Sequence, residues 1–208
     1  MSDPASNLID LKVRKKLGEF RLDAELHDDG FLCLTGRNGS GKSSLLNVIS
    51  GILAPDEGFV KLNSVNITNL PVEKRGTVLV TPDSHIPHLD VERHLIWGAK
   101  VRGIDVDEKF VERVKRELGI SFAGKVGRLS LGMKERVALA TCLISRPQAI
   151  LVDETFSSID DEENFVSSYR CMASDLKIDV IFTSQRIEDS KLAEHHYGIE
   201  NGRLSKIS

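Results

Sequence analysis

The sequence predicts an α/β fold with a parallel sheet. Three observations carry the prediction: short runs of β-branched residues, helical patterns between them, and a glycine-rich stretch joining the first run to the first helix. Phe31-Leu32-Cys33-Leu34-Thr35 reads as a buried strand. Ser43 to Ser50 reads as a helix, because Leu45, Leu46 and Ile49 share a face, and Gly51 with Pro55 beyond stops it. Thr77-Val78-Leu79-Val80, Ala149-Ile150-Leu151-Val152 and Val180-Ile181-Phe182-Thr183 are further runs of the kind a parallel sheet buries on both faces. Between the first two of these lie helical patterns. Asp107 to Leu118 places Phe110, Val111, Val114 and Leu118 on one stripe, with Gly119 closing it. The expected organisation is one domain over 1–208, with a core of 1–83 and 146–208 and an inserted helical lobe at about 84–145.

The 208 residues exceed the ~150-residue domain prior by less than half, which agrees with one domain carrying an insertion. Apolar residues at 40% exclude a disordered chain. A formal charge of −3 argues against a nucleic-acid partner, which usually selects a basic excess. No stretch approaches the ~18 apolar residues that span a bilayer, and Met1-Ser2-Asp3-Pro4 begins no signal peptide. A soluble, intracellular chain is therefore expected. Cys33, Cys142 and Cys171 sit among apolar neighbours and read as reduced core thiols.

Gly36-Arg37-Asn38-Gly39-Ser40-Gly41-Lys42-Ser43 fits G-x-x-x-x-G-K-[ST], after a strand and at the start of a helix. Glycines let backbone N–H groups turn inward around a polyphosphate, and the helix N-terminus adds its positive dipole end. Asn38, Gly39, Ser40, Gly41, Lys42, Ser43 and Ser44 form the expected nucleotide-contacting set. Lys42 is suited to the β- and γ-phosphates of ATP, and the Ser43 hydroxyl to Mg²⁺. Asp153-Glu154 follows the run 149–152, at the carboxyl end of a strand, where ligands bind in open α/β sheets. Asp153 is a candidate Mg²⁺ ligand and Glu154 a candidate base for the attacking water.

Leu129-Ser130-Leu131-Gly132-Met133-Lys134-Glu135-Arg136 and the helix after it resemble the L-S-G-G-Q signature of ATP-binding cassette (ABC) ATPases. The order of phosphate loop, signature, Asp-Glu and Ser157-Ser158-Ile159-Asp160 is that family's order, and the resemblance runs from about residue 8 to 206. The segments 16–22, 49–58 and 70–76 look most like the ATPase subunits of molybdate, tungstate and sulfate importers.

The resemblance implies a P-loop NTPase cassette with a mainly parallel sheet, antiparallel N-terminal strands and a helical lobe. It implies an Mg²⁺-dependent ATPase at the inner face of the cell membrane. Its partners would be a second cassette in a head-to-tail ATP sandwich, a membrane permease and an extracytoplasmic binding protein. Ser130 and the N–H groups around Gly132 would reach the γ-phosphate on the partner's loop, and Asp160 would link the two sites. An aromatic residue upstream of the loop would stack on adenine, with Phe20 the candidate and Leu17 the alternative alignment. Because the sequence ends at Ser208, the extra carboxy-terminal domain of many oxyanion importers is not expected.

Four positions depart from the family pattern. Asp83 stands for the glutamine that touches Mg²⁺, Leu131 for the first signature glycine, Thr155 for a proline, and Gln185 for the histidine that contacts the γ-phosphate. Gln185 can donate a hydrogen bond but is never cationic. A slow but real ATPase is expected, with Glu154 and Lys42 intact; the alternative is an ATP-gated switch with little turnover. His85 and His88 lack the further ligands of a metal site, and Ile86, Leu89 and Trp97 fit either a docking groove or the core. His195-His196 reads as the surface of a helix, and 107–117 as a solvated helix face.

Overall fold

The computed structural model describes residues 8–208. The start Met1–Pro4, and with it the expectation about a signal peptide, lies outside the described residues. Strands run as β1 (Ile9–Leu17), β2 (Phe20–Asp28), β3 (Phe31–Thr35), β4 (Glu57–Leu62), β5 (Val65–Asn66), β6 (Thr77–Val80), β7 (Ala149–Val152), β8 (Asp179–Ser184), β9 (His195–Glu200) and β10 (Arg203–Lys206). Helices are α1 (Lys42–Ser50), α2 (Val91–Val101), α3 (Glu108–Glu117), α4 (Leu131–Ile144) and α5 (Glu162–Asp175). The described residues divide into two compact units, one of 8–79, 148–154 and 177–208, the other of 80–147 and 155–176.

The first unit holds a ten-stranded sheet in the order β5-β4-β1-β2-β10-β9-β3-β8-β7-β6. β3 pairs parallel with both β8 and β9, and β8 with β7. β1 pairs antiparallel with β2 and β4. The strand runs read from the sequence are all present, and β3, β7 and β8 are buried along their whole length. β1 and β2 instead alternate, with Ile9, Leu11, Val13, Leu22, Ala24 and Leu26 inward, as a sheet solvated on one face requires. Leu45, Leu46, Val48 and Ile49 of α1 complete this core. Each such burial stabilises by about 1.5–3 kcal/mol.

α1 ends at Gly51, whose φ of 87° is the left-handed backbone of a helix stop. A Cβ there would come 2.2 Å from Nε of Arg75. The buried Arg75 guanidinium donates to the carbonyls of Val48 (3.0 Å) and Ile49 (3.2 Å), the last turn of α1, and to those of Leu70 and Thr68. This cation sits at the negative end of the helix dipole.

In the second unit α2 packs on α4, with His94 Nδ1 2.9 Å from Thr141 Oγ1. The stripe read for α3 buries Val111, Val114 and Leu118, while Phe110 is half-buried under the Arg146 guanidinium. Phe156, Phe165 and Tyr169 form an aromatic cluster beside α5. No helix among the described residues is long and apolar enough to cross a membrane.

Two sequence readings are corrected. Cys33 and Cys142 are buried, but Cys171 is exposed. The 3.6-residue period turns Tyr169, Met172 and Ala173 of α5 inward, and 171 falls on the opposite face. His195-His196 lies in β9, not on a helix, and His196 is buried with Nε2 2.7 Å from Thr35 Oγ1. Strand alternation beside β3 puts His196 inward, and burial holds its pKa below the ordinary value.

Candidate functional site

β3 delivers the chain into the loop 36–41, and the loop opens directly into α1. Gly39 (φ 77°) and Gly41 (φ 114°) take backbone conformations that side chains rarely allow. A Cβ on Gly41 would also come 2.7 Å from Phe20 Cζ, so the ring lies on the loop. No side chain caps α1, which leaves its first N–H groups and positive dipole end for a ligand. An open cleft of about 360 Å³ is lined by Leu17, Phe20, Asn38, Gly39, Gly41, Lys42, Ser43, Ser44 and Glu154. A larger groove of about 950 Å³ around Arg14, Arg21 and Arg203 holds facing ion pairs such as Arg14–Glu57 and lacks any such loop. The smaller cleft, which holds the glycine loop and Lys42, is the candidate site.

Lys42 is 4% exposed. Its ammonium donates to the carbonyls of Gly36 (2.8 Å) and Arg37 (3.3 Å) and lies 3.3 Å from Glu154 Oε1. Glu154 has φ 54°, a left-handed backbone that costs about 1 kcal/mol in a non-glycine residue. Gln185 Nε2 donates to Glu154 Oε2 at 3.0 Å. The amide read as a γ-phosphate donor therefore holds the neighbouring carboxylate here. Asp153 and Glu154 are both tied to Thr183, whose Oγ1 donates to Asp153 Oδ1 (2.8 Å) and accepts from the Glu154 N–H (2.9 Å).

Thr183 is the site residue that the sequence reading passed over. By sequence it reads as the end of the apolar run 180–183. The available signal is a hydroxyl closing that run at the same height as the acidic pair, since β7 and β8 are parallel with Val152 beside Phe182.

Ser130, Gly132, Asp160 and Asp83 belong to the second unit. Ser130 caps α4, its Oγ accepting from the Met133 N–H at 3.3 Å. Leu131 is 52% exposed. A Cβ on Gly132 would come 2.7 Å from the Ser158 carbonyl oxygen, so glycine permits the close packing of α4 on the turn 156–160. Arg136 fastens the same turn by donating to the Asp160 carbonyl at 2.5 Å. Asp83 is exposed in the turn Thr81–Ser84.

The donor set around the cleft suits a nucleoside triphosphate with its divalent cation. It comprises the Lys42 ammonium, an uncapped helix N-terminus and the Ser43 hydroxyl, with the Asp153 carboxylate one residue before the cleft-lining Glu154. Ser40 Oγ, buried beside the loop, has no hydrogen-bond partner among the described residues.

The description "ABC transporter" matches residues 20–157, about two thirds of the chain. This chain belongs to the ABC transporter family. Within that family it is an ATP-binding subunit, of the class that hydrolyses ATP. The molybdate/tungstate import ATP-binding protein WtpC of Archaeoglobus fulgidus is 37% identical over 204 residues, covering 93% of this chain and 85% of that protein. The molybdenum import ATP-binding protein ModC of Rhizobium meliloti is 31% identical, covering 94% of this chain but 58% of its own length. WtpC of Pyrococcus abyssi is 30% identical, and the chain spans 60% of it. Among solved structures, an ATP-binding cassette of an ABC transporter in its ADP conformation is 25% identical, with a TM-score of 0.79 over 97% of this chain and 90% of that one. A second ABC transporter ATP-binding subunit, 20% identical with a TM-score of 0.80, shares the fold. The ABC cassette fold expected from the resemblance, antiparallel N-terminal strands included, is therefore present.

Proposed function

We propose that this chain is the ATP-hydrolysing subunit of an importer for oxyanions of the molybdate and tungstate class, working with a membrane permease and a second cassette. The observation that carries the proposal is the convergence of Lys42, Gln185 and Glu154 beside an uncapped helix N-terminus, in a chain of this family. The loop N–H groups from Asn38 to Ser44 and the Lys42 ammonium bind the β- and γ-phosphates. Ser43 and Asp153 are the oxygen ligands for Mg²⁺, which when bound would neutralise charge on those phosphates. Glu154 accepts the proton of the attacking water, and the contacts from Lys42 and Gln185 fix where its two oxygens point. Adenine rests on Phe20 or Leu17, both of which line the cleft.

Ser130, Gly132 and Asp160 serve the nucleotide of the second cassette, and Asp83 meets the metal or the permease. Dividing the phosphate donors over two chains makes hydrolysis conditional on closure. The cassette sits at the inner face of the membrane, and an extracytoplasmic binding protein supplies the oxyanion. The names of the relatives support importer and cargo class together. The reading with slow turnover keeps Gln185 and Leu131 as its cause.

The test is a fluorescent ATP analogue titrated into the parent, Lys42→Ala and Glu154→Gln, with turnover measured on each. Lys42→Ala is expected to weaken binding at least about 100-fold, since it removes a charge-assisted contact to phosphate. Glu154→Gln is expected to bind normally and turn over at least about 100-fold more slowly. Unchanged binding by Lys42→Ala removes the proposal.

A further inference from the structure

Two acidic residues of the site hang on one hydroxyl. Thr183 lies near the end of β8 and is 4% exposed. Its Oγ1 spends its single proton on Asp153 Oδ1 at 2.8 Å and offers a lone pair to the Glu154 N–H at 2.9 Å. The direction of both bonds is settled by chemistry: a backbone N–H only donates, so the hydroxyl proton is free for the carboxylate. Gln185, in the bend just after β8, holds the far end of Glu154. Thr183 of β8 thus holds Glu154 at its backbone and Asp153 at its carboxylate, while Gln185, just past the strand, holds the Glu154 carboxylate.

We infer that Thr183 is a positioning residue for ATP hydrolysis, holding Asp153 and Glu154 in one fixed mutual arrangement. The inference rests on the ATPase reading of the cleft. The left-handed backbone of Glu154 (φ 54°) gives the bond to its N–H a specific task. Without that acceptor the residue relaxes towards the ordinary right-handed or extended regions, and its side chain leaves Lys42 and Gln185. The bond to Asp153 Oδ1 acts on the other half of the site and fixes how that carboxylate is turned. A serine keeps both bonds. A valine keeps the shape and the β-branching of threonine and loses both.

Thr183→Val and Thr183→Ser in the full chain therefore separate geometry from packing. For Thr183→Val the expected result is a kcat lower by about 10- to 100-fold with KM for ATP within about twofold, the scale of a lost hydrogen bond to a charged group. The Mg²⁺ concentration giving half-maximal binding of a fluorescent ATP analogue should rise, while affinity without Mg²⁺ stays constant. Thr183→Ser should restore both readouts, and melting temperatures of both variants report that they fold. Equal kcat in parent and Thr183→Val overturns the inference, as does equal loss in the valine and serine variants. A parent that binds ATP but shows no turnover overturns the ATPase reading, and this role with it.

Discussion

Glu135 offers a sharp test of how burial acts on this protein. It lies in α4 and is 1% exposed. Burial raises its pKa from 4.5 to about 7, and the Ser158 hydroxyl only partly opposes this. A carboxyl whose folded pKa exceeds its unfolded one binds its proton more tightly when folded. Its contribution is therefore complete below 4.5 and is lost as pH rises through about 7. Working the linkage through, the parent loses about 2.5 kcal/mol between pH 5 and pH 8 from this group alone. Glu135→Gln removes the titration, and whatever its amide costs in the same place is independent of pH.

The measured quantity is the difference in unfolding free energy between variant and parent, from urea titrations at pH 5 and pH 8. That difference should move by about 2–2.5 kcal/mol in favour of the variant on going from pH 5 to pH 8. Taking differences also cancels other groups with the same trend, Asp179 among them. A difference that stays constant within about 0.5 kcal/mol, against the ~2.5 kcal/mol the linkage requires, would refute the reasoning.

Further outcomes follow from individual contacts. Asp179 accepts from the Gly30 N–H at 2.8 Å, and its other oxygen is buried with no hydrogen-bond partner among the described residues. Burial first, then Asp29 and Glu194, raise its pKa to about 7, so Asp179→Asn should stabilise by about 1–2 kcal/mol at pH 8 and not at pH 4. Gly132→Ala places a methyl 2.7 Å from the Ser158 carbonyl and should lower stability by about 1–3 kcal/mol, read by urea unfolding. Gln185→His should raise the single-turnover hydrolysis rate about tenfold, by substituting a donor that can carry charge. An unchanged rate would assign Gln185 solely to holding Glu154.

Much of the site was legible because its signals are local. The phosphate loop needs a strand, glycines, Lys42 and Ser43 in one continuous stretch, and all of that is visible in a window of about a dozen residues. Asp153-Glu154 is readable at the end of an apolar run for the same reason. The carboxylate's partners are not local: Gln185 comes from 31 residues further along the chain and Thr183 reaches the Glu154 N–H across 29. Phe20 and Leu17 stayed alternatives because adjacent ends of a hairpin both reach the cleft. For the histidine pair 195–196, the short 3-10 helix that follows Gln185 ends at Leu192 and β9 takes up the pair, because pairing with β3 outweighed local pattern.

What the sequence determined by itself is the strands β3, β6, β7 and β8, the helices α1 and α3 and the loop chemistry, because periodicity, β-branched runs and glycine positions act over a few neighbouring residues. Only the tertiary structure decided which hydroxyl reaches which carboxylate, that His196 and Glu135 are enclosed while Cys171 is not, and that Gln185 holds Glu154. These depend on strand register and helix packing, which bring together residues far apart in the chain, and one residue of slip would turn each of them to another face.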